Sequence, residues 1–254
     1  MEVKMGIYHG MIGMSYNANR NFFSDLKAFI EYLTTFFPQN KKINICFIPT
    51  ASRDSLAQRT FFKTYLWWYF PQFEVTTLLE HQLYTQNNDD NLLKILSNQD
   101  VIYVGGGSTP YLIQTWKNAN FDKLLKSVFE ARPMILSGVS AGLECWFQIG
   151  LTDDGDENGP LSNTEGLGWI EGYCTPHYQD KNRKVVFDEN IKHMKKGYAC
   201  EDGTAILFAF ENGHFKYDTA IRTREDTEAF KLKIKNQSHE ARALTHKFQS
   251  TMIP

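Results

Sequence analysis

The sequence predicts an α/β fold, a mostly parallel sheet with helices on both faces. Three observations carry that expectation. Short β-rich runs alternate with longer helix-compatible runs over the first two thirds of the chain. Two apolar runs end directly in glycine-rich turns, Gly105-Gly106-Gly107 and Gly138-Val139-Ser140-Ala141-Gly142. Sites of parallel sheets sit in such turns, beyond the carboxyl ends of the strands. No internal repeat or linker divides the 254 residues, so residues 1–254 read as one domain with one large core.

The elements follow in chain order. Residues 1–7 carry no apolar stretch with a small-residue cleavage site, which argues against a secretory leader. Residues 22–36 are the first helix candidate. Ile43-Asn44-Ile45-Cys46-Phe47-Ile48 reads as a buried strand stopped by Pro49, and residues 55–69 as the next helix. Residues 73–79 form a second strand, 91–96 a helix, and Val101-Ile102-Tyr103-Val104 a third strand. Helices at 110–118 and 121–130 lead to a fourth strand, Met134-Ile135-Leu136. Residues 152–165 are polar and read as an exposed loop. Residues 203–216 read as a hairpin turning at Asn212-Gly213. Residues 229–235 alternate apolar and basic, as a half-exposed strand does. Residues 222–254 as a whole are a weakly specified C-terminal extension.

Bulk composition narrows the function. With 27 basic and 29 acidic residues the net charge is −2, which predicts no nucleic-acid stripe and no steering to anionic membranes. No run is long enough for a membrane span. Cys46, Cys145, Cys174 and Cys200 are scattered, unlike a disulfide framework, so the chain reads as a reduced cytoplasmic protein. Cys174, His177 and Cys200 lack a Cys-x-x-Cys pair and a fourth ligand, so no metal is expected. The run Phe61-Phe62-Lys63-Thr64-Tyr65-Leu66-Trp67-Trp68-Tyr69-Phe70 reads as a core helix. Its excess of aromatics leaves monomer and homodimer both open.

Gly138-Val139-Ser140-Ala141-Gly142 has the pattern of a nucleophile elbow, a strained strand-to-helix turn that lifts one side chain above a sheet. A serine hydroxyl needs a base to take its proton, a carboxylate to orient that base, and amides to hold an oxyanion. His177, after an apolar glycine-punctuated stretch and Pro176, is the candidate base. Glu201 and Asp202, ahead of Gly203-Thr204-Ala205, are candidate acids. Successive residues on a strand face opposite ways, so one of the two is expected to face the imidazole. Amides of the Gly105–Gly107 loop and of Ala141 are the candidate oxyanion donors. The glycine loop lacks the Gly-Lys-Ser/Thr of a phosphate loop and the Gly-x-Gly-x-x-Gly of a dinucleotide site. Cys145, past Ser140 on the expected helix, reads as packing.

Four motifs occur together: Gly105-Gly106-Gly107-Ser108-Thr109, Gly138-Val139-Ser140-Ala141-Gly142, Gly166-Leu167-Gly168-Trp169 leading to His177-Tyr178, and Glu201-Asp202-Gly203-Thr204-Ala205. In this order the chain resembles peptidase family S51, the dipeptidase E and cyanophycinase group, from about residue 43 to residue 210. The resemblance implies a flavodoxin-like three-layer α/β/α sandwich related to class I glutamine amidotransferases, here with the C-terminal hairpin added. It implies a Ser–His–Glu/Asp triad, no cofactor and a small peptide substrate. Carried over, Ser140 is the nucleophile and His177 the base, with Gly106 or Gly107 and Ala141 as oxyanion donors. Asp202 stands where the family usually has Glu, one methylene shorter, so Glu201 and Asp202 stay alternatives. An Asp-X dipeptide, the family's type of substrate, needs a cation. Arg183 matches a basic position common after the family histidine, with Lys181 and Lys184 beside it. The acidic loop at residues 153–157 is a candidate seat for a substrate amino group.

Two other readings remain open at this stage. An α/β-hydrolase esterase would draw a late histidine, His214, His239 or His246, to Ser140. A catalytically impaired S51-like protein would only bind a peptide.

Overall fold

The computed structural model describes residues 8–16, 21–84, 89–156, 159–235 and 238–247. The opening residues 1–7, Glu157 of the acidic loop and residues 248–254 lie outside that description, as do the side chains of 89, 233–235, 238–241 and 247. The first half contains β1 (Gly10–Ser15), α1 (Phe22–Thr34), β2 (Ile43–Ile48), α2 (Leu56–Tyr69), β3 (Phe73–Thr77) and the short α3 (Glu80–Leu83). There follow α4 (Asp89–Ser97), β4 (Val101–Val104), α5 (Thr109–Asn118), α6 (Phe121–Ala131) and β5 (Ile135–Val139). The second half holds α7 (Ala141–Glu144), β6 (Phe147–Thr152), β7 (Ser162–Glu165), β8 (Ile170–Thr175) and α8 (Lys181–Asn190). It ends with β9 (Lys196–Cys200), β10 (Thr204–Glu211), β11 (His214–Arg222), β12 (Ala229–Lys235), β13 (Ser238–Ala243) and β14 (Thr245–Lys247).

The main sheet runs β14-β11-β10-β1-β5-β4-β2-β3. From β1 to β3 every neighbouring pair is parallel, and β10 and β11 are added antiparallel at the β1 side. The β10–β11 hairpin turns at Asn212-Gly213, both at positive φ, as an Asn-Gly turn requires. Side chains alternate across this sheet. Ile45, Phe47, Val101, Tyr103 and Ile135 pack toward α1 and α2, whereas Cys46, Ile48, Ile102, Val104 and Leu136 pack toward α4, α5 and α6. This is the flavodoxin-like α/β arrangement. The aromatic run of α2 divides between surroundings: Phe62, Tyr65 and Leu66 are buried, and Trp67, Trp68 and Tyr69 are exposed.

Beyond the expected sheet and its hairpin, the fold has a second sheet, β13-β12-β9-β8-β6-β7. Its Phe147, Ile170, Cys174 and Tyr198 join the core shared with α5 and α6. Its outer face packs Leu151, Tyr173, Ala199 and Leu232 against Phe187 of α8. Within residues 152–165, read as loop from their polarity, β7 is a mostly exposed strand paired to β6 alone. Polar residues suit such an edge. In α8 only Arg183 and Phe187 are buried, so no apolar stripe announces the helix. The central strand β1 was equally hidden: Gly-Met-Ile-Gly-Met-Ser has little β-branched content, yet every residue in it is buried.

Candidate active site

The elbow forms where β5 ends. Ser140 has φ 54 and ψ −113, a region costly for any residue with a Cβ and typical of functional turns. Its N–H donates to Met14 O of β1 at 3.3 Å, and its carbonyl accepts from Leu143 and Glu144 N–H, starting α7. Gly142 is required here by close approach, since a Cβ on it would lie 2.2 Å from Val104 O. The sharp turn therefore depends on α7 lying against β4, and it holds the serine above the carboxyl edge of the sheet.

His177 reaches Ser140 from the second sheet, just after β8. It too has a positive φ, 54. Its Nε2 lies 3.2 Å from Ser140 Oγ and its Nδ1 2.7 Å from Asp202 Oδ1. Ser15, the last residue of β1, joins the three: its hydroxyl donates to Asp202 Oδ1 at 2.9 Å and accepts from His177 N–H at 3.0 Å. Gln179 clasps the same aspartate twice, donating Nε2–H to Oδ2 at 2.6 Å and accepting Asp202 N–H at 2.9 Å. Burial works to raise the Asp202 pKa, but donation from His177, Ser15 and Gln179 outweighs it and holds the carboxyl below its ordinary value. An ionised Asp202 only accepts hydrogen bonds, so the imidazole proton belongs on Nδ1 and Nε2 is free to accept from Ser140.

Glu201 turns the other way, a correction to its candidacy as the acid. Its Oε2 accepts from Glu228 N–H at 2.9 Å, and its own N–H donates to Glu228 O. Burial raises its pKa, with the Glu228 amide acting in the opposite sense. Ser15 and Gln179 escaped the sequence reading. Ser15 lies in the unread strand β1. Gln179 stands two residues past His177, which is its sole sequence signal.

The glycine loop lies across from the elbow. A Cβ built on Gly106 would come 3.3 Å from Ser140 Cβ and 3.9 Å from its Oγ. Gly107 has φ 142, and a Cβ there would collide with Ala51 O at 2.2 Å. The N–H groups of Gly106, Gly107 and Ala141 find no acceptor among the described residues. Ala141 opens α7, and the first amide of a helix has no partner within it. Ser108 caps α5 by accepting from Tyr111 N–H at 3.1 Å.

Arg183 is not at the pocket, which corrects the expectation that it meets a substrate. It is 5% exposed. Its guanidinium donates to Leu151 O at 2.6 Å and to Asp153, and lies 3.9 Å from Glu144. Asp153 of the acidic loop is thus committed to Arg183, and Asp154 accepts from Ser108 Oγ. Cys145 is fully buried, with its thiol pushed well above the ordinary range by burial. The late histidines of the esterase alternative sit on β11 (His214) and β14 (His246), while His177 meets the serine; the side chain of His239 is outside the described residues.

In front of Ser140 lies a cavity of about 310 Å³. Its walls are Tyr16, Phe22, Phe47, Phe61, Phe62 and Tyr103. Gln58, Gly105 and Val139 also line it, together with Gly106, Ser140 and His177.

The family model of peptidase family S51 matches residues 12–216, from β1 into β11. The chain belongs to peptidase family S51. As an S51 peptidase it is 34% identical, over 168 residues, to the uncharacterized peptidase YgaJ of Bacillus subtilis (strain 168). That match covers 65% of this chain and 68% of YgaJ. The fold is similar to that of a peptidase from an acI-B1 Actinobacterium, with TM-score 0.64, 16% identity and 94% of each chain covered. It is also similar to a protein described as a candidate peptidase E from Listeria monocytogenes EGD-e. There the TM-score is 0.58 and the identity 21%, covering 83% of this chain and 98% of the other. The S51 match spans the glycine loop, the elbow, His177 and Asp202 in one continuous region.

Proposed function

We propose that this S51 peptidase is a serine peptidase that cleaves a small peptide by acyl transfer. The observation that carries the reading is the unbroken relay Ser140 Oγ, His177 Nε2, His177 Nδ1 and Asp202 Oδ1, at 3.2 and 2.7 Å. His177 takes the hydroxyl proton as Ser140 attacks the scissile carbonyl, forming a C–O bond. The proton then passes to the leaving amine as the C–N bond breaks. Water attacks the resulting acyl-enzyme by the same route in reverse order. Asp202 stays ionised and steadies the imidazolium, and Ser15 and Gln179 hold Asp202 in place. The unengaged amides of Gly106 or Gly107 and of Ala141 are the donors for the oxyanion.

The pocket suits a short peptide. At about 310 Å³ it lies at the small end of ligand cavities, enough for one side chain. Replacing Ser140 by Ala is expected to lower peptide hydrolysis by at least about 10³-fold with the circular dichroism spectrum unchanged. Hydrolysis at the normal rate in that variant overturns the proposal.

A further inference from the structure

We infer that the pocket in front of Ser140 takes an uncharged aromatic or large aliphatic side chain, from the residue that contributes the scissile carbonyl, and rejects an acidic one. This rests on the reading of Ser140 as nucleophile and names its substrate class.

The walls are rings in mutual contact. Phe47 stacks on Phe62 with centroids 4.4 Å apart, and Phe62 meets Tyr103 at 4.7 Å. Phe22 in turn meets Tyr16 and Phe61, each at 5.3 Å. Locked rings give a flat-sided slot that an aromatic side chain fills by offset or edge-on contact. Its polar side chains Tyr16, Tyr103 and Gln58 are already engaged. The Tyr16 and Tyr103 hydroxyls bond each other, and Gln58 Nε2–H donates to Gly106 O at 3.4 Å.

Among the described residues, charge disfavours an acid. No Lys or Arg lines the pocket among the described residues. Arg183, the cation expected from the sequence, is spent on Leu151, Asp153 and Glu144, away from the pocket lining. Behind the lining His177 lies the fixed charge of the Asp202 carboxylate. An Asp or Glu side chain would lose its water, gain no cation among the described residues and meet a like charge. Gly106, whose amide is a proposed oxyanion donor, and Ser140 both line this pocket, so the entering side chain is assigned to the residue that owns the attacked carbonyl.

The test compares kcat/KM for Phe-Ala and Leu-Ala with that for Asp-Ala and Glu-Ala. The aromatic and aliphatic substrates are expected to lead by at least about 100-fold. Equal or better cleavage of Asp-Ala overturns the inference. Phe61→Arg, at the half-buried rim, places a cation in the slot and is expected to shrink that lead at least about tenfold; an unchanged lead counts against the pocket assignment. If the protein turns over none of the four, diphenyl aminophosphonates with Phe-like and Asp-like side chains are compared by mass of the Ser140 adduct. Faster labelling by the Phe-like probe supports the inference, and faster labelling by the Asp-like probe overturns it. No turnover and no adduct is a failure of the serine-peptidase reading, and the inference falls with it.

Discussion

Two regions near Ser140 bury opposite kinds of side chain. Toward α1 and α2 lie Tyr16, Phe47, Phe62 and Tyr103, a set of rings without a charged member. Toward α7 and the second sheet lie Glu144, Thr109, Arg183 and Asp153, an ionic cluster. Glu144 lies one helical turn past Ser140, so proximity to a nucleophile does not make a charged residue a substrate contact. The cluster ties α7, β6 and α8 together, and the ring-lined slot is left to define what enters.

The largest effect that would break this contrast is expected at Arg183. Arg183→Met leaves Asp153 and Glu144 without their cation and should cost about 3 kcal/mol of stability by chemical denaturation. The preference for Phe-Ala over Asp-Ala should not move. A changed preference in a protein of normal stability would return Arg183 to substrate recognition.

A smaller effect lies in Glu144. Burial pushes its pKa from 4.5 up to about 8, against hydrogen bonding from Thr109 and the charge of Arg183. The folded protein thus keeps a proton there that the unfolded chain releases above 4.5. Stability from this group therefore falls as pH rises from 4.5 to about 8. Glu144→Gln, which cannot ionise, should flatten that fall in urea midpoints measured across the same range. A fall as steep as that of the unaltered protein would contradict the assignment.

The same contrast marks what the sequence revealed. Strands β2 and β4 are compact apolar runs with clean stops, and β5 leads straight into Gly-x-Ser-x-Gly, so the nucleophile's half of the fold was legible. The half that supplies His177 was not. Strand β7 is polar because it is an exposed edge, α8 buries only two side chains, and β1 is built from Gly, Met, Ile and Ser. The histidine itself was found through its neighbours in the motif rather than through the sheet that carries it. Choosing between Glu201 and Asp202 needed the partners of each, Glu228 for one and Ser15, His177 and Gln179 for the other. Those partners are distant in sequence, apart from His177 and Gln179, which are two residues apart. Arg183 misled for the same reason: a basic residue a few positions past the histidine looks identical in sequence whether it turns outward or into a buried cluster.

The central claim is that Ser140 acts through His177 and Asp202, and kcat for Asp202→Asn and Glu201→Gln tests it most directly. Asp202→Asn should keep the geometry but fix the wrong imidazole tautomer, lowering kcat by about 10⁴-fold. Glu201→Gln should stay within about threefold of the unaltered enzyme, because Glu201 bonds Glu228 and not the imidazole. The opposite ranking, with Glu201→Gln inactive and Asp202→Asn near normal, would contradict the account.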